Sequence, residues 1–264
     1  MKNILITGAG GGMGGAAARL FAERGYRVFA LDRIESKAES ENIIPIAADL
    51  SASEGVKSAI ERVKELTDTL DGIIHFAGAY AMDSLVEMSE EKFEKIFKIN
   101  LGIAFLVNKE ALPLLSAGSK IIITTSELAP LDPLPFTGIY AVTKAALEKY
   151  AYSLAMELQL IGISVSVIRA GAVSTGMLGA STDALDRFVE STRLYSCNAE
   201  RFKGIVNRVE ARNIPPEKIA ALSYKIIGKR WPRFIYSINR NPLLLLLGVL
   251  PKRMQLWIIR MLLK

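Results

Sequence analysis

The run Ile4-Leu5-Ile6-Thr7-Gly8-Ala9-Gly10-Gly11-Gly12-Met13-Gly14 decides the fold. Its apolar start reads as a short strand over residues 2–7, and its glycines form a turn that opens a helix over 13–24. Glycines let the backbone approach a ligand closely. The unpaired amides and the dipole of the helix's first turn favour negative charge there. A strand, turn and helix in this order can cradle a pyrophosphate, which makes Thr7, Gly8, Gly12, Met13 and Gly14 candidate contacts. The stretch satisfies several glycine patterns at once, so its position matters more than its spacing. Asp32 follows the next strand, 27–31, where a carboxylate can accept from ribose hydroxyls and repel a 2′-phosphate. That favours NAD over NADP, while Arg33 could pair with the phosphate and keeps NADP open.

Outward from this turn, short strands alternate with longer helices. Strands are expected at 43–47, 72–76, 120–125 and 164–169, and helices at 53–66, 89–112 and 140–161. Such alternation implies parallel pairing through crossover helices. The expected fold is α/β, a doubly wound parallel sheet of Rossmann type with helices on both faces, in one domain with a C-terminal helical extension. Residues 1–217 are assigned to the nucleotide-binding catalytic domain, with a substrate lid at about 176–212, and 218–264 to the extension.

The net charge of +6 is unevenly placed. No Asp or Glu follows Glu217, whereas ten Lys or Arg do, so the body is net acidic and the tail strongly basic. That excludes a basic body built for nucleic acid and gives the tail an anionic partner such as a membrane surface. One cysteine, Cys197, and one histidine, His75, exclude an internal disulfide and a His/Cys metal cluster. With no secretory signal in the first residues, a cytoplasmic location is expected, at the inner face of a membrane if the tail binds one.

Tyr140 and Lys144 stand four apart in a helical stretch, so their side chains emerge from one face. A phenol is a poor base at neutral pH, and a neighbouring ammonium together with an oxidised nicotinamide would lower its pKa. Upstream, Ser126 closes one strand and Asn100 ends Phe97-Lys98-Ile99-Asn100. With these residues in order, the chain resembles the short-chain dehydrogenase/reductase family over residues 2 to about 175. The matches are Thr7-Gly8-x-x-x-Gly12-x-Gly14, Asp49-Leu50, Ala77-Gly78, Asn100, Ser126, Tyr140-x-x-x-Lys144, Gly171 and Thr175. The resemblance implies a nicotinamide coenzyme and a small alcohol or ketone substrate. Tyr140 would be the general acid/base, Lys144 would assist it and hold the nicotinamide ribose, Ser126 would bind the substrate oxygen, and Asn100 would support a proton relay. It also places Asp49 near adenine, Gly78 near its ribose and Thr175 near the carboxamide, and implies a homo-oligomer.

Three departures stand out. The family's Asn-Asn-Ala-Gly is His75-Phe76-Ala77-Gly78, its Pro-Gly is Ala170-Gly171, and the interval from Ser126 to Tyr140 is one residue longer than the commonest family interval, which leaves Thr125 as an alternative hydroxyl. His75 is expected to be structural. In the lid, Met177, Leu178, Phe188, Leu194, Tyr195 and Phe202 suit either a hydrophobic substrate or lid packing. Residues 242–250 are apolar but too short to span a bilayer. Residues 252–264 place Lys252, Arg253, Arg260 and Lys264 on one arc opposite Met254, Ile258, Ile259, Met261 and Leu262, with Trp257 bordering. This pattern fits a membrane interface or a second subunit. The tail resembles in kind the hydrophobic extensions of hydroxysteroid and retinol dehydrogenases. A non-catalytic nucleotide sensor, or an assembly protein with secondary activity, stays open beside the enzyme.

Overall fold

The computed structural model describes residues 1–34, 40–208 and 213–264; the last four residues of the expected lid and the side chain of Leu178 lie outside the described residues. The strands are β1 (Lys2–Thr7), β2 (Tyr26–Asp32), β3 (Ile43–Ala47), β4 (Leu70–His75), β5 (Leu115–Thr124), β6 (Ser164–Ala170) and β7 (Ile235–Ile238). The helices are α1 (Gly12–Glu23), α2 (Ser53–Lys64), α3 (Glu90–Phe97), α4 (Ile103–Ala111), α5 (Gly138–Leu158), α6 (Gly176–Ser191), α7 (Ser196–Arg208), α8 (Pro216–Ile227), α9 (Pro242–Val249) and α10 (Lys252–Leu263).

All pairings in the sheet are parallel, in the order β3-β2-β1-β4-β5-β6-β7. Side chains alternate across it, as strand geometry requires. Leu5, Ile73, Ile121 and Ile123 join one core with Val56 and Ile60 of α2, Val107 of α4 and Leu147 of α5. Ile4, Ile6, Ile74 and Ile122 join the other with Phe21 of α1 and Ile219 and Ile226 of α8. Strand order reverses between β1 and β4, so a crevice opens beyond their carboxyl ends. The glycine turn after β1 and the Phe76 to Gly78 segment after β4 both end there.

Two features of the fold bear on these expectations. The division after residue 217 falls inside the domain, because α8 packs on α1 and β7 pairs with β6 from Val167↔Ile235 to Ala170↔Ile238. The extension proper therefore begins after Ile238. The helix expected over 89–112 is interrupted by a π-helical turn, Lys98–Gly102, that carries Asn100. A single π-helical turn has no residue signature of its own, which hides it in sequence, yet it re-aims the side chain it contains.

The extension is not a free amphipathic rod. Gln255 and Leu263 of α10 are buried, and Ile259 and Leu263 join Met82, Leu185 and Phe202 in a separate apolar cluster that also contacts Tyr80 and Phe136. Asp132 receives a hydrogen bond from Gln255 Nε2 at 2.9 Å and an ion pair from Lys252. The apolar arc expected to face a membrane is thus partly docked on the protein. The outer face instead mixes Arg253, Arg260 and Lys264 with Leu256, Trp257 and Met261. Phe188 and Phe202 are buried in ring contacts with Phe136, at 4.5 and 5.6 Å, which favours lid packing as their role, while Leu194 is exposed.

Candidate active site

The turn after β1 is built to exclude side chains. A Cβ on Gly8, whose φ is 72°, would lie 2.6 Å from the Ala77 amide nitrogen, and one on Gly14 would lie 2.1 Å from the Gly8 carbonyl oxygen. At Gly12 it would meet Thr175 Cγ2 at 2.7 Å. These approaches leave bare backbone along a cavity of about 790 Å³ that Asp32, Arg33, Asp49, Leu50, Gly78 and Thr175 also line. Glycine backbone at a helix N-terminus, with a carboxylate one strand away, fits the diphosphate and ribose of a dinucleotide. Asp32 accepts from the Gly10 amide at 2.9 Å and the Arg33 amide at 2.7 Å, which fixes its carboxylate at the rim. Hydrogen bonds from Ser51 hold the Asp49 carboxyl below its ordinary range, with Arg33 and Lys98 acting in the same direction.

Thr7 and Gly171, both expected to contact the nucleotide, also have structural partners. Thr7 is fully buried, with its Oγ1 3.4 Å from the Ala77 amide. Gly171 is not among the cavity walls. A Cβ there would lie 1.8 Å from the Asn239 carbonyl oxygen, so its glycine is required by the chain leaving β7.

Behind Gly78 lie the residues expected to transfer the proton. A Cβ on Gly78, which lines the cavity, would lie 3.3 Å from Lys144 Nζ and 3.2 Å from Asn100 Oδ1. Asn100 Oδ1 accepts from the Ala79 amide at 2.7 Å, and its Nδ2 donates to the Ala79 carbonyl at 3.0 Å and to Thr143 Oγ1 at 3.0 Å. The π-helical turn thereby ties the segment after β4 to α5. Lys144 Nζ donates to the Thr124 carbonyl at 3.3 Å and stands 5.8 Å from the centre of the Tyr140 ring.

Ser126 Oγ accepts from the Leu128 amide at 3.2 Å and acts on the Tyr140 phenol in the sense that lowers its pKa. Thr125 Oγ1 donates instead to Glu148 Oε2 at 3.4 Å. The expected lowering of the phenol pKa is not what the protein alone produces. Burial pushes Tyr140 up to about 12, and it is Ser126, not Lys144, that acts in the opposite sense. Burial also pushes Lys144 down to about 8. Both shifts have one cause: a poorly hydrated site penalises whichever form is charged. At neutral pH the phenol is held as an acid beside a lysine still mostly protonated.

His75 is buried, with Nε2 2.9 Å from Asn108 Oδ1 and Nδ1 3.4 Å from Thr7 Oγ1. Asn108 Nδ2 donates to Tyr150 Oη at 3.1 Å, so its Oδ1 is left to accept from Nε2–H. The imidazole thus braces β4 against β1 and α4 where the family has an amide, and burial pushes its pKa down to about 4. Sequence reasoning missed Tyr80, whose ring stacks 4.8 Å from that of Tyr140 and which lines the cavity. It also missed Lys95 and Lys98 at the adenosine end. Tyr80 lies only two residues past Gly78, the one signal available.

A family model described as short chain dehydrogenase matches residues 2–186. The chain is 28% identical to a versicolorin reductase of Emericella nidulans, over 76% of each chain. It is 27% identical to a 3-ketodihydrosphingosine reductase of Bacteroides thetaiotaomicron, over 88% of this chain and 85% of that one. In fold it is similar to a 3-ketoacyl-(acyl-carrier-protein) reductase of Brucella melitensis solved with NADH, with a TM-score of 0.72, 21% identity, and coverage of 90% and 95%.

Proposed function

Since the chain belongs to the short-chain dehydrogenase/reductase family of oxidoreductases, we propose that it reduces a lipophilic ketone to a secondary alcohol, and catalyses the reverse, with Tyr140 as general acid/base. The observation that carries this is the phenol itself, held protonated by burial, acted on by Ser126 and packed against Tyr80, which lines the dinucleotide-sized cavity. When bound, the nicotinamide supplies or accepts the hydride. Ser126 hydrogen-bonds the carbonyl oxygen, and Tyr140 gives its proton to the alkoxide that forms. The Lys144 ammonium steadies the phenolate left behind, and Asn100 keeps the Ala79 segment and α5 in place around it. For the reverse reaction the same phenolate takes the proton back.

Several features support the finer points of this reading. The apolar residues around Tyr80, Met82, Leu134 and Phe136 suit a steroid-, retinoid- or acyl-like substrate, and two relatives are named for reducing versicolorin and a 3-keto sphingoid compound. Asp32 at the rim favours NAD, whereas Arg33, Lys95 and Lys98 keep NADP open. Exposed Phe105, Val142, Tyr152 and Met156 on α4 and α5 suit a homo-oligomer. Among the described residues no helix is long and apolar enough to cross a membrane, so contact with the inner face of one would be peripheral, through a C-terminal extension similar in kind to those of hydroxysteroid and retinol dehydrogenases. The test is oxidation of NADH and NADPH by the purified chain against a panel of lipophilic and polar ketones. Coenzyme binding without turnover of any ketone would overturn the reading and favour a nucleotide sensor.

A further inference from the structure

We propose that α9 and the outer face of α10 form a docking surface for an anionic lipid bilayer, onto which a groove leading towards Tyr140 opens. The first observation is α9. Its sequence is Pro-Leu-Leu-Leu-Leu-Leu-Gly-Val, yet none of its residues is buried, and Leu243, Leu246 and Val249 are 57%, 66% and 83% exposed. Apolar surface gathered in one place is unfavourable in water and marks a contact. The next helix continues it. The inner side of α10 is satisfied by the protein, whereas Met254, Leu256, Trp257 and Met261 face outward unpartnered.

Charge selects the occupant. Residues 239–264 contain five Lys or Arg and no Asp or Glu. Of these, Arg253, Arg260 and Lys264 form no ion pair among the described residues, and they stand among the outward apolar side chains of α10. A second copy docked through a twofold axis would set these cations against themselves. Acidic headgroups neutralise them, while apolar side chains enter the acyl boundary and a tryptophan takes the interfacial level. On an anionic surface each such cation raises partitioning about fivefold.

The placement also has a consequence for the site, which rests on the reading of a lipophilic substrate. A groove of about 790 Å³ runs under α10, walled by Leu85, Val86, Leu134, Leu247, Leu256 and Ile259. Leu134, Phe136, Ile259 and Leu263 of its lining join Tyr80 in one apolar cluster, and the Tyr80 ring lies 4.8 Å from that of Tyr140. Leu85, Val86 and Leu256 are exposed at its mouth. A lipophilic ketone could then pass from the bilayer towards the tyrosine along an apolar path.

The test uses the full chain with Trp231→Phe, which leaves Trp257 as its one tryptophan, mixed with phosphatidylcholine vesicles with or without phosphatidylglycerol. We expect co-sedimentation with the anionic vesicles to exceed that with neutral ones by at least about tenfold, with Trp257 emission moving to shorter wavelength. Leu246→Glu and Arg260→Glu, both at exposed positions, should each reduce binding by about tenfold while leaving reduction of a short, water-soluble ketone unchanged. Absence of binding, equal binding to neutral vesicles, or an oligomer that Leu246→Glu splits would each overturn the proposal. Vesicle binding by a chain that turns over no ketone would support docking and remove only the enzymatic reading. Turnover without vesicle binding would do the reverse.

Discussion

Acidification should weaken this protein through His75, by an amount that can be worked out. The imidazole is buried and held down to about 4, against an ordinary 6.5, so the folded chain refuses a proton that the unfolded chain accepts. For a group depressed on folding, stability is intact above the unfolded value and falls as pH drops from 6.5 towards 4. The full gap corresponds to about 3 kcal/mol, a large share of an ordinary domain's stability. The loss arises because protonation would place a charge among Thr7, Asn108 and the strand backbone, where only one ring nitrogen has a strong acceptor. Carboxylates titrate in the same range, so the assay must be differential. Urea unfolding followed by far-ultraviolet circular dichroism, at about pH 7 and about pH 4.5, is compared for the natural chain and His75→Asn, which keeps a hydrogen-bonding side chain that cannot titrate. The natural chain should lose about 2 to 3 kcal/mol more than the variant over this interval. Parallel losses would refute the assignment of His75 as a neutral buried brace.

Gly8→Ala, which sets a Cβ 2.6 Å from the Ala77 amide at positive φ, should destabilise the chain by about 2 to 4 kcal/mol and abolish coenzyme binding; an unchanged melting temperature and NADH titration would contradict the account of the turn. Because Lys144 serves in its charged form and is held down to about 8, ketone reduction should decline as pH rises through that value, which a kcat profile to higher pH checks; a flat profile would count against its role. Asp32→Asn removes the charge that repels a 2′-phosphate and should raise the NADPH to NADH ratio of kcat/KM by about tenfold; an unaltered ratio would show that Arg33 and its neighbours govern selection.

The strands were the most legible part of this chain. Residues 2–7 and 43–47 carry short apolar runs bounded by turn residues, and they form β1 and β3 at those limits. Their parallel order followed from the crossover helices. The π-helical turn at Lys98–Gly102 was illegible because a single such turn has no residue signature of its own, although Asn100 itself was conspicuous. Strand β7 was hidden in the basic tail: at four residues with half-exposed side chains it has no distinguishing pattern, and only its pairing with β6 defines it. The site was legible as a set of residue types but not as a set of ionisation states. Spacing placed Lys144 beside Tyr140, yet the balance between its charge and the loss of water depends on burial, which spacing does not contain. Gly171 illustrates the same limit, since a glycine required by Asn239, 68 residues away, looks the same in sequence as one required by a ligand.

The central claim is that the Tyr140 phenol moves the proton during turnover. Tyr140→Phe keeps the ring that stacks on Tyr80 and removes only the hydroxyl. Measured with a ketone that the natural chain reduces, kcat should fall by at least about a hundredfold while NADH affinity stays within about twofold. Retained turnover would contradict the account at its centre.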